Sequence, residues 1–233
     1  MLVTLPLIML PGLLNDARLW AQQQAVLGKD RPVHIPDLTR DNSIVGMAAR
    51  VLSAAPERFA LAALSMGGYV ALEILRQAPE RVERLALVDT MARPDSPARA
   101  RVRRGLLELA HMGTFKGVTP QLLPRLMHTR SLGTPAAELV RAMAQAVGRE
   151  GFIAPQQAIT GRRDYSALLE QIRVPTLIMV GEDDQITPVE EAQFMHRHIA
   201  GSRLVVIAEC GHLPPLEHPL QTCELLQAWL SGI

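Results

Sequence analysis

The sequence predicts an α/β fold: a mostly parallel six-stranded sheet flanked by helices, with one helical insertion. Three observations carry this. Short apolar runs alternate with amphipathic ones along most of the 233 residues, as expected of strands buried on both sides and the helices that cover them. The runs are close enough together for right-handed strand–helix–strand crossovers. From about Ala92 to Asp164 the alternation stops and only helical segments follow.

The expected strands are "LPLIML" at 5–10, "RPVHIPD" at 31–37, "RFALAAL" at 58–64, "VERLALVD" at 82–89, "VPTLIMVG" at 174–181 and "SRLVVIA" at 202–208. Helical periodicity falls at about 43–54, 66–77, 188–199 and 216–230. The insertion is punctuated by "RPDSP", "HMGTFKG", "SLGTP" and "GREG", each a turn signal. This divides the chain into a core, 1–91 with 165–233, and a helical cap, 92–164. Met112, Met127 and Met143 are expected to pack a small core of the cap's own.

Hydrophobic residues make up 48% of the chain, enough for one domain with a substantial core. Lys plus Arg number 24 against 23 Asp plus Glu, a balance that suggests neither nucleic acid nor an anionic membrane as partner. Cys210 and Cys223 are too few for a disulfide framework and lack zinc-site spacing. The N-terminal "MLVTLPLIMLPG" has no basic start and no cleavage site, so it reads as a strand. No apolar run reaches the roughly 18 residues of a membrane span. The expectation is a soluble, cytoplasmic protein.

The stretch "AALSMGG" raises the question of chemistry. If a strand ends at Leu64 and a helix begins at Met66, Ser65 stands on a tight turn that lifts its hydroxyl clear of the sheet. The positions two before and two after it must then be small, and they hold Ala63 and Gly67. Serine is a poor nucleophile at neutral pH, so it needs a general base, and the base needs a group to orient it. Acids follow the fifth strand in "EDDQITP", and a histidine follows the sixth in "ECGHLPPLEHP". Both loops leave the carboxyl ends of strands, the edge where the serine turn also lies. The chain order Ser65, Asp184, His212 is the one this arrangement requires.

Together "LPGLLNDARLW", "ALSMGG", "VPTLIMVGEDDQITP" and "ECGHLPPLEHP" resemble the α/β-hydrolase superfamily over nearly the whole chain. The resemblance implies Ser65 as nucleophile, His212 as base and Asp184 as acid, since Asp184 ends a Gly-x-x-Asp that starts at Gly181; Asp183 is the runner-up. It implies backbone donors to an oxyanion from Leu13 and Met66, in a loop reading Pro-Gly-Leu where the family usually has His-Gly-x. Leu14 and Leu213 would line an apolar site for an uncharged acyl group. The family's N-terminal hairpin is expected to be absent, which should trim the sheet to six strands and open a different edge, to be protected by charges or used between subunits.

Other candidates have plainer expectations. Asp89 stands at another position that some family members use for the acid but reads as a loop cap, Asn15 and Asp16 read as helix N-cap residues over a lining of the entrance, and Trp20 reads as packing. His218 should cap or pack the last helix, while His196 and His198 point to different faces and make no metal site. His34, His111 and His128 belong to no constellation, and Arg93, Arg99, Arg101, Arg103 and Arg104 read as a solvated helix face. A serine at the nucleophile position implies an acyl-enzyme and hydrolysis of a small-molecule ester or lactone, needing no cofactor or metal. Carbon–carbon hydrolysis of the meta-cleavage-product type and non-catalytic ligand binding stay open, as does the oligomeric state.

Overall fold

The computed structural model describes residues 4–232. Six strands, β1 (Leu7–Leu10), β2 (Val33–His34), β3 (Phe59–Leu64), β4 (Val82–Val88), β5 (Thr176–Gly181) and β6 (Arg203–Ile207), form one sheet in the order β2-β1-β3-β4-β5-β6. Every pairing is parallel. All six expected strands are present and each is shorter than its apolar run. The largest loss is in 31–37, which keeps two paired residues because Pro32 and Pro36 bracket them and neither has an amide hydrogen to give a ladder. That brevity also blunts β2 as a sheet edge, where charges or a subunit contact were expected.

The helices are α1 (Ala21–Leu27), α2 (Ile44–Ala54), α3 (Met66–Gln77), α4 (Pro97–His111), α5 (Leu123–Leu126), α6 (Pro135–Thr160), α7 (Ser166–Leu169), α8 (Val189–His198), α9 (Pro214–Glu217) and α10 (Pro219–Ser231). Before α1, a 3₁₀ turn at Ala17–Trp20 is N-capped by Asp16, which accepts the Arg18 amide. Ser43 caps α2 by accepting from the Gly46 amide. The single C-terminal helix expected at 216–230 is two, α9 and α10. Pro219 lacks an amide hydrogen and keeps His218 out of helical geometry (φ −131°, ψ 60°). Residues 92–164 contribute helices and no strand; α6 bends at Gly148, whose φ is +68°. No helix among the described residues is long and apolar enough to cross a membrane.

Strand alternation divides the interior into two apolar layers. Ile8, Leu10, Leu61, Ala63, Leu85 and Leu87 face the side covered by α2, α3 and α8. Leu7, Met9, Ala60, Ala62, Ala86 and Val88 face the side where Trp20, Leu226 and Trp229 pack. Met127 and Met143 join this second layer, so they pack against the sheet side of the molecule instead of a separate core within the insertion. Met112 is 72% exposed and packs no core.

Register aligns the carboxyl ends of the central strands. Leu10 pairs with Ala63, Leu64 with Val88 and Val88 with Met179, so the loops after β1, β3, β4 and β5 leave the sheet at about one level.

Candidate active site

Ser65 is the only residue between β3 and α3, and its backbone shows the strain of that turn, with φ 55° and ψ −114°. Such a conformation costs a non-glycine residue on the order of 1–3 kcal/mol and persists only where its surroundings hold it. Three hydrogen bonds do so: the Ser65 amide donates to Val88 O at 3.0 Å, Thr90 Oγ1 donates to Ser65 O at 2.7 Å, and the Gly68 amide donates to the same carbonyl at 2.9 Å. The smallness expected at Gly67 is a matter of clearance, since a Cβ there would stand 2.6 Å from Leu10 O.

The loop after β1 passes beside the serine: a Cβ on Gly12 would lie 3.3 Å from Ser65 Cβ. Leu13 and Leu14 in this loop are half-buried, Leu14 with a φ of +63°. Met66 is buried at the start of α3, and Leu213 is buried in the layer that holds Trp20 and Met127.

Asp184 and His212 meet directly. His212 Nδ1–H donates to Asp184 Oδ2 at 2.8 Å, and Thr187 Oγ1 donates to the same oxygen at 2.7 Å. Asp184 Oδ1 accepts the amides of Ile186 and Thr187 at 2.7 and 3.1 Å. Burial by itself would push this carboxyl up. The His212 charge, then hydrogen bonds from His212 and Thr187, outweigh it and hold the pKa at about 2. Asp183, by contrast, is exposed, with His128 Nε2 3.8 Å from its carboxylate. Backbone contact sets the spacing of acid and base, because a Cβ on Gly181 would be 1.9 Å from Gly211 O.

Asp89 is a correction to the sequence reading. It does not cap its own loop; it is buried at a φ of +42°, and its Oδ1 accepts the Gly181 amide at 2.9 Å. Burial, then the neighbouring Asp184 carboxylate, raises its pKa well above the ordinary value. Donor atoms of Asp89, Asp184 and His212 lie within 4.8 Å of one another, a spacing a metal ion could use. Both Asp184 oxygens, however, already accept from protein donors.

Among the described residues no hydrogen bond joins the Ser65 hydroxyl to His212. The two share a sheet edge, and bonds of this kind often tighten only with substrate in place. Sequence reasoning missed Thr187 and Thr90 as supports; the signals were the Asp-x-x-Thr spacing in "DDQIT" and the "VDT" at the end of β4.

The remaining candidates are structural. His218 is the N-cap residue of α10, its carbonyl accepting the Thr222 amide at 2.9 Å, while its side chain turns away and Nε2 hydrogen-bonds Glu209 O. His196 pairs with Ser202 Oγ, and His198 with Phe194 O. Of the arginines expected on a solvated face, Arg101 and Arg104 are exposed. Arg93 instead pairs with Glu191, Arg103 with Asp95 and Gln156, and Arg99 with the Met91 sulfur. His128, placed in no constellation from sequence, gives its amide to Glu217 at 2.7 Å.

Comparison with known proteins agrees with this fold. A family profile described as "Alpha/beta hydrolase family" matches residues 7–225. A pimeloyl-[acyl-carrier protein] methyl ester esterase of Neisseria meningitidis serogroup C is 31% identical over 176 residues, 72% of this chain and 68% of that one. The structure of a thermophilic esterase from Thermogutta terrifontis, with malate bound, matches at a TM-score of 0.88 and 30% identity, over 99% of this chain and 90% of that one. An enol-lactonase from Burkholderia xenovorans LB400 matches at 0.85 over 98% and 92%; at 24% identity that likeness speaks for the fold.

Proposed function

The chain belongs to the alpha/beta hydrolase family, and from that premise we propose that it is a serine hydrolase that cleaves a carboxylic ester or lactone through an acyl-enzyme on Ser65. The observation that carries the reading is the buried Asp184–His212 pair, 2.8 Å apart, at the sheet edge that also bears the strained turn of Ser65.

The steps follow from these groups. Ser65 Oγ attacks the carbonyl carbon while His212 Nε2 takes its proton, and Asp184 steadies the imidazolium through Nδ1–H. The amides of Leu13 and Met66 hydrogen-bond the oxyanion that develops. The imidazolium returns its proton to the leaving alkoxide, which departs as the alcohol. Water, deprotonated by His212, then attacks the acyl-enzyme and frees Ser65 with the acid as product.

The segment 92–164 is read as a cap over this edge. Leu14 and Leu213 supply apolar surface for the acyl group. The esterase relatives support ester over amide as the substrate bond, and the Neisseria protein makes methyl esters of medium-length acyl groups such as pimeloyl the first class to try.

A fluorophosphonate probe followed by peptide mapping tests the nucleophile, with Ser65→Ala as control. An adduct on Ser65 together with turnover of methyl esters, p-nitrophenyl esters or an enol-lactone is the expected result. An adduct with bleaching of a coloured dienoate and no ester turnover would replace it with carbon–carbon hydrolysis. No adduct, with thermal stabilisation by a ligand, would replace it with a binding protein.

A further inference from the structure

His212 stands between two residues whose amides share one acceptor. Glu217 Oε1 takes the Gly211 amide at 3.1 Å and the Leu213 amide at 3.2 Å. The amide of His212 itself donates to Leu126 O, at the end of α5, at 2.9 Å. Three successive amides of the base-bearing loop are therefore held, two by one carboxylate oxygen.

The other oxygen reaches the insertion. Glu217 Oε2 accepts the His128 amide at 2.7 Å, two residues beyond α5. The chains are in contact there: a Cβ on Gly211 would lie 2.7 Å from His128 N and from the Met127 carbonyl carbon.

Local structure explains why residue 217 can do this. The turn α9 begins with Pro214 and Pro215, which have no amide hydrogens, so the amides in need of acceptors lie just before it. Helical side chains lean toward the N-terminus. A glutamate at the end of a one-turn helix therefore folds back across the start of that turn onto residues 211 and 213.

We propose that Glu217 is a positioning residue for His212, with one carboxylate oxygen fixing the loop that carries the imidazole and the other pinning the segment after α5 to that loop. The proposal rests on the reading of Ser65, His212 and Asp184 as the catalytic group. Fixing the backbone on both sides of His212 leaves its side-chain torsions as the only freedom, and Asp184 removes that through Nδ1. The base then meets the serine without reorganising. Any shift of segment 126–128 moves the same loop, so the insertion and the base are mechanically joined.

The test compares wild type, Glu217→Ala and Glu217→Gln by the labelling rate of Ser65 with a fluorophosphonate, by kcat and KM on p-nitrophenyl butyrate, and by the NMR resonance of the His212 Nδ1 proton. Glu217→Ala loses both grips, and its kcat and labelling rate should fall about tenfold or more with KM changed by less than about threefold. Its Nδ1 proton should exchange faster with water.

Glu217→Gln keeps one carbonyl oxygen for residues 211 and 213 but turns an N–H toward His128, so its loss should be smaller. If Glu217→Ala does not fold, this isosteric variant carries the same comparison. A variant that melts lower yet labels Ser65 and holds the Nδ1 proton as wild type does would overturn the proposal. If wild-type Ser65 takes no adduct, the hydrolase reading falls, and the exchange of the Nδ1 proton alone decides for or against the clamp.

Discussion

His212 and Asp184 form a hydrogen-bonded pair 2.8 Å apart with side chains 4% and 0% exposed, so solvent replaces neither partner if one is changed. Asp184→Asn keeps the shape but offers an amide N–H where Oδ2 stood, which favours the wrong imidazole tautomer. Ester turnover should drop by about 10²–10⁴ and remain measurable, whereas Ser65→Ala and His212→Ala should each nearly abolish it. Steady-state rates on a p-nitrophenyl ester decide this, and near-normal turnover in His212→Ala would remove that residue from the role of base.

Acid stability should report the same pair. The folded pKa of Asp184, about 2, lies below its ordinary 3.8, so the pair's contribution is complete above 3.8 and is lost as pH falls through about 2. Urea unfolding followed from about pH 5 downward should show wild type losing its margin over Asp184→Asn across that window. A margin independent of pH would mean that Asp184 gains nothing from the pairing.

Asp89 carries the opposite sign. Its folded pKa is raised, so its contribution is full below 3.8 and declines as pH rises toward the folded value. Asp89→Asn mimics the neutral acid, with Oδ1 for the Gly181 amide and an N–H toward Asp184, and asparagine tolerates the φ of +42°. Its stability relative to wild type should therefore improve steadily as pH rises. Asp89→Ala leaves the buried Gly181 amide without an acceptor and should be less stable than Asp89→Asn by about 1–3 kcal/mol at any pH. Parallel pH profiles for Asp89→Asn and wild type would show that Asp89 is ionised in the folded protein.

Much of this could be read from the chain because it is encoded locally. The apolar runs located all six strands, and the order of the serine turn, "GEDD" and "CGH" pointed to one edge of the sheet, where the candidate site lies. What escaped is set by contacts between distant segments. Glu217 looks like one more surface acid in "PPLEHP", and only the fold brings the His128 amide to it. The raised pKa of Asp89 comes from burial and then from Asp184, 95 positions later in the sequence. Prolines decided the remaining misses, by shortening β2 and dividing the C-terminal helix.

The turn at Ser65 offers a measure of what the site costs the fold. At φ 55° and ψ −114° a side chain is strained by on the order of 1–3 kcal/mol, and glycine is not. Glycine also widens the unfolded ensemble, which offsets about 0.5–1 kcal/mol of the relief. Ser65→Gly and Ser65→Ala both remove the hydroxyl, so a difference in their stability isolates the backbone. Ser65→Gly should be the more stable by about 1 kcal/mol, read as a higher midpoint in urea at unchanged slope. If Ser65→Ala proves equal or better, the three hydrogen bonds around the turn have absorbed its strain, and holding the serine there is not bought with stability.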